Sequence, residues 1–147
     1  MFLKRRFTFL QLLLLLVVAL LARTATAAQP AGHVDALVYT PTSQQLHIQG
    51  WAWDASNGQP ASSLRVTVGG QQLVVDALHR VERPDVRAAL GMSALHAGFS
   101  ASLTLPTGFP EGLHAVEIAA VWPNGTALRL PMAQVGQVRV QADGPPA

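Results

Sequence analysis

Two tryptophans stand two residues apart in "QGWAWD" (49–54), and they carry more binding capacity than any other side chains of this 147-residue chain. Alternate residues of a regular strand share a face, so Trp51 and Trp53 would project together. If Leu46 and Ile48 mark the buried face of that strand, both indoles point outward as a platform that stacks on a sugar or grips a partner. Gly50 stands between the two pairs. A β-bulge there would shift the phase and turn both rings into the core, where so much apolar area normally goes. The sequence leaves both arrangements open. Trp122, at the end of an apolar strand, reads as a core or rim residue.

A second cluster lies in "RVERPDVRAALG" (80–91), where Arg80, Arg83 and Arg87 come close together. The sharper reading is a site for an anion or an acidic glycan. The plainer one is structural: a planar guanidinium fork suits pairing with Asp54, Asp76 or Asp85, and those acids cancel the local field. The structural role is the expected one, with Arg83 kept beside Trp51 and Trp53 as a ligand-binding candidate.

The five histidines, His33, His47, His79, His96 and His114, are dispersed. None forms an H-E-x-x-H spacing, and no G-x-S-x-G elbow supplies a nucleophile to the nearby Asp76 and His79. The chain has no cysteine, which removes thiolate zinc sites, thiol catalysis and disulfide staples. No catalytic residue, metal site or cofactor is expected. Asn124-Gly125-Thr126 matches a glycosylation sequon but reads as a turn.

The elements that must position these residues are short strands. "VDALVYT" (34–40), "QLHIQGWAWD" (45–54), "LRVTV" (64–68), "QQLVVDAL" (71–78), "AGFSASLTL" (97–105), "LHAVEIAAVW" (113–122), "ALRLP" (127–131) and "VGQVRVQ" (135–141) follow one another with Gly, Pro or Asn between them. Gly69-Gly70 marks a tight hairpin. Phe99 begins an alternating apolar set with Ala101, Leu103 and Leu105, which places its ring in the core. This cadence predicts an all-β sandwich or barrel, of about 7–9 strands.

One stretch breaks the cadence. Pro84 has the fixed φ suited to the first helical position, and Asp85 favours the positive end of the helix dipole. Val86, Ala89 and Leu90 share one small apolar face. Gly91 supplies a left-handed C-cap. Residues 84–90 therefore read as a short helix. It is too short to be stable alone, so Val86 and Leu90 are expected to clamp it to the sandwich while it carries the chain from one sheet to the other.

The N-terminus reads as a targeting signal over residues 1–27. Lys4, Arg5 and Arg6 precede an apolar run from Phe7 to Ala22. At about 16 residues the run is short of the roughly 20 needed to span a bilayer. Ala25 and Ala27 give the small-residue spacing of a cleavage site, with an uncleaved N-terminal anchor as the alternative. Removing Lys4, Arg5, Arg6 and Arg23 from the 10 Lys+Arg leaves 6 arginines against all 8 acids, a mature net charge of 6 − 8 = −2. That balance carries no basic stripe for nucleic acid and no polybasic patch for anionic lipid. Contact with a membrane is expected only through the signal segment before cleavage. Residues 28–140 form one domain on this reading, and 141–147 a frayed tail.

The set "GHVDAL", "GWAWD", "RPDVRAALG", "AGF" and "GLHAVEIAAV", in that order over residues 32–140, resembles a bacterial extracellular accessory module. That module is marked by GWA-x-D, RPDV, GF and G-x-H-x-V, and is found appended to secreted cell-wall and envelope proteins. The resemblance implies an immunoglobulin-like β-sandwich and a non-catalytic role, with no settled ligand. The module usually accompanies a catalytic or repeat region, so any enzyme served here would be a separate chain. The resulting expectation is an exported module that binds a protein or glycan of the cell envelope. The alternatives are a structural subunit acting by edge-strand pairing and a small periplasmic hydrolase.

Overall fold

Strand β2 (Gln45–Asp54) sets the pattern for the whole molecule. Leu46, Ile48, Gly50 and Ala52 are buried on one face, and His47 and Gln49 are exposed on the other. The same period of two runs through β4 (Ser63–Val68), which buries Leu64, Val66 and Val68, and through β7 (Gly98–Thr104), which buries Phe99, Ala101 and Leu103. These inward rows form one core with Val116, Ile118 and Ala120 of β8 (Gly112–Val121) and Val138 and Val140 of β10 (Gln137–Val140). Trp122 belongs to that core, and its indole N–H donates to the Gln59 carbonyl at 3.0 Å. The computed structural model describes residues 29–132 and 136–141. The expected signal segment 1–27 and nearly all of the expected tail 141–147 lie outside them.

Two antiparallel sheets enclose this core. The first runs β1 (Ala31–Thr40), β2, β7, β6 (Ala77–Val81), with β3 (Gln59–Pro60) paired to β2. The second runs β10, β8, β4, β5 (Gln71–Leu73), with β9 (Ala127–Arg129) paired to β8. Without the short β3 and β9, the orders 1-2-7-6 and 10-8-4-5 are the A-B-E-D and G-F-C-C′ orders of the immunoglobulin sandwich. β1 also touches the second sheet. Val34 makes a parallel bridge to Met132, and its N–H donates to Pro131 at 2.8 Å. The β4–β5 hairpin turns on Gly69 and Gly70, both at positive φ (58° and 81°), as a two-residue turn of this hand requires.

Three sequence expectations change here. Residues 71–78 are not one strand. β5 ends at Leu73, Val74 is 82% exposed, and β6 starts at Ala77 in the other sheet. This is where the chain changes sheets, and the Asp76 carboxylate pins its arrival by accepting the Thr104 N–H at 2.8 Å. The helix α1 (Pro84–Leu90) is therefore no crossover between sheets: it joins β6 to β7, antiparallel neighbours in the first sheet. The β-bulge lies opposite Gly50 rather than at it. The β1–β2 register slips between Val34 and Ala36, leaving Asp35 as the extra residue, while β2 pairs with β7 unbroken from Gln45 to Trp51.

Candidate functional site

Because β2 keeps its phase, Trp51 and Trp53 stand on the outer face of the first sheet, away from the sandwich core. Trp53 is nevertheless only 3% exposed. The connection between β6 and β7 folds back over it: Val86 of α1, and Ala94 and Ala97 of the 3₁₀ segment Met92–Ala97, close around the indole as a second small core. Trp51 is half-buried at the margin of that cluster. Neither arrangement open to the sequence holds whole: the rings do not turn into the sandwich core, and they do not form an open pair. The strand aims the rings outward, and the inserted segment covers one of them.

Only part of α1's expected apolar face is used. Val86 is buried, whereas Ala89 is exposed and Leu90 is 43% exposed. With about two helical turns, packing on a single indole engages Val86 and leaves Leu90 past the contact. Gly91 has φ 109° and ψ 169°, a glycine region but an extended one, so it is no left-handed cap. Its N–H still closes the helix on the Arg87 carbonyl at 2.8 Å. Pro84 occupies the first turn, as its geometry favours, and no side chain caps the helix start at Arg83.

Arg83 is the hinge of the arrangement. Its Nε and Nη2 grip both oxygens of Asp85 at 2.8 and 2.7 Å, and its Nη1 reaches Asp35, on the β1 bulge, at 2.5 Å. Its backbone N–H donates to Leu95 at 2.7 Å, which ties the start of α1 to the 3₁₀ segment. Asp35 also meets His33 Nδ1 at 3.2 Å. The Arg83 fork holds the Asp85 carboxyl down to about 2, and the Asp85 carboxylate in turn raises Arg83. Gly98 makes this possible: a Cβ there would meet the Val81 carbonyl and, at 2.5 Å, Arg83 Cγ. Gly50 has a matching role. A Cβ would run into the His33 carbonyl and come 3.0 Å from the Phe99 ring, which is 2% exposed in the core.

The remaining candidates are placed singly. Asp54 is buried, and its carboxylate organises the turn after β2 by accepting the Ser56 N–H and hydroxyl (2.9 and 2.6 Å) and the Asn57 amide (2.8 Å). The Ser56 hydroxyl, ahead of the other donors, lowers its pKa against the opposing effect of burial. Arg80 donates to the Ala61 carbonyl, and Arg87 points to solvent on α1. The Asn124-Gly125-Thr126 stretch is a turn in which Asn124 Oδ1 accepts the Thr126 N–H at 3.0 Å. His114 packs edge-on to Phe109, and His96 is exposed in the 3₁₀ segment. His33, His47 and His79 all fall on the outer face of the first sheet, in different cross-strand rows. Among the described residues no group of three or more His, Asp or Glu stands close enough to hold a metal ion. Among them too, no helix is long and apolar enough to cross a membrane.

The sequence does not single out Asp35 or Gln49, and it marks His33 only as one of five dispersed histidines. With Gly50, Phe99, Val81 and Arg83, Asp35 and Gln49 line a recess of about 160 Å³. Asp35 and His33 lie in the "GHVDAL" stretch, but nothing local marks an aspartate as partner to an arginine 48 residues away. No family model matches the chain, and no curated protein matches it.

Proposed function

We propose that this protein is an exported, non-catalytic immunoglobulin-like module that binds a protein or glycan of the bacterial cell envelope. The observation that carries the reading is the use made of the reactive side chains. Arg83 spends its fork on Asp85 and Asp35, and Asp54 spends its carboxylate on its own turn, so the groups best suited to chemistry serve as scaffold. The outer face of the first sheet stays polar and accessible at His47 and Gln49. The targeting pattern of residues 1–27 and the resemblance to extracellular accessory modules support the same reading. Co-sedimentation of the purified protein with isolated sacculi and outer membranes tests it. Saturable binding to one fraction, with no soluble sugar or peptide released, is the expected result. Failure to pellet with either fraction, or turnover of the bound material, overturns it.

A further inference from the structure

The outer face of the first sheet has a floor, a wall and a set of hydrogen-bonding groups arranged around one small recess. Trp51 lies directly across from His33 on β1 and from Gly98 on β7. In the next row, Gln49 is exposed beside the Asp35 bulge, and the two border the recess of about 160 Å³ whose far side is Val81 and Arg83. That volume falls below the roughly 300–1,000 Å³ of ordinary ligand clefts. It suits one ring or one ring substituent, with the rest of a ligand lying along the sheet.

The charge of the site selects among ligands. Two carboxylates, Asp35 and Asp85, surround a single guanidinium and engage three of its five N–H donors. An anion would face two carboxylates against one guanidinium, a net negative charge that disfavours it. A neutral polyhydroxyl ligand finds an indole for its apolar face, the Gln49 amide as both donor and acceptor, and the remaining acceptor capacity of Asp35. We propose that this recess, with Trp51 beside it, binds an uncharged sugar ring of an envelope glycan. The inference rests on the envelope-binding reading and narrows it to one face and one ligand class.

Trp51 supports the second core, so its removal can disturb folding, whereas Gln49 makes no such contact. The test titrates chitotetraose, maltotetraose and acidic polygalacturonate into the protein, with amide and indole N–H resonances as the readout. At least one neutral oligosaccharide is expected to bind and to shift the resonances of Gln49 and Trp51. Gln49→Ala and Trp51→Ala should each weaken it roughly tenfold, equivalent to about 1.4 kcal/mol, and Trp51→Phe should recover part of the loss. If Trp51→Ala does not fold, Gln49→Ala decides. Preference for polygalacturonate, shifts confined to another face, or no binding of either neutral probe overturns the site. Sacculus binding that persists unchanged in Gln49→Ala would reject this site and keep the envelope reading. Failure of the unmodified protein to bind either sacculi or outer membranes would reject both.

Discussion

The Arg83 guanidinium holds two carboxylates at once, and only one of them could be found from the sequence. Asp85 is two positions along the chain, within reach of local reasoning. Asp35 becomes a partner only through the β1 register and its bulge. The pair gives a pH prediction. Asp85 has its folded pKa depressed from 3.8 to about 2, so its contribution to stability is present above 3.8 and is lost as pH falls towards 2. The melting temperature of the wild type should exceed that of Asp85→Asn above that window, and the gap should close across it. The carboxylate is 65% exposed, so the gap is small and shrinks with added salt. A gap independent of pH would mean the ion pair does not support the fold. Phe99 lies at the other end of the scale of effects. Its buried ring fills the space under Gly50, and Phe99→Ala should cost about 3–5 kcal/mol, against a total of roughly 5–15 kcal/mol for a domain of this kind. Chemical denaturation measures it, and a midpoint near that of the wild type would show that the ring is dispensable.

At the scale of elements, strands were legible where the period of two survives, as in β2, β4, β7, β8 and β10. The helix α1 was legible from Pro84 and from the spacing of Val86, Ala89 and Leu90. What the helix packs on was not, because the sheet face it covers is built from residues 30 positions earlier whose orientation depends on the phase of β2. Alternation in Leu46, Ile48 and the tryptophans already implied that phase. Gly50 kept a bulge in β2 open as an alternative, whereas the glycine admits the close approach of the bulged β1 beside it. The helix makes a sharp contrast testable. Val86 is buried against Trp53, so Val86→Ala should destabilise by about 1–3 kcal/mol, whereas Leu90→Ala should fall within about 0.5 kcal/mol of wild type. Equal losses in thermal denaturation would restore Leu90 to the clamp. Gly91→Ala belongs with Val86→Ala, because φ 109° with an extended ψ is a region nearly closed to other residues and costs on the order of 1–3 kcal/mol.

At the scale of the whole molecule, the two sheets divide the labour. The second sheet, with the inner face of the first, supplies the core that a cysteine-free chain must build without staples. The outer face of the first sheet carries the inserted segment, the Arg83 network and the half-buried Trp51. Net charge belongs to this scale as well. The full chain is +2 with an isoelectric point near 9.9, which would suit adhesion to any acidic polymer. Removal of Lys4, Arg5, Arg6 and Arg23 reverses the sign to 6 − 8 = −2. On the export reading, the molecule that acts in the envelope is the acidic one, and any attraction it has for glycan must come from stacking and hydrogen bonds rather than from charge. N-terminal sequencing of the exported protein should begin at Ala28 or Gln29, and isoelectric focusing should place it below neutral pH. The same sample should pass unretained over heparin at low salt, where electrostatic binding is strongest. A membrane-held chain that begins at Met1 and adheres to heparin would overturn the export reading, and with it the argument that the binding face works without a basic patch.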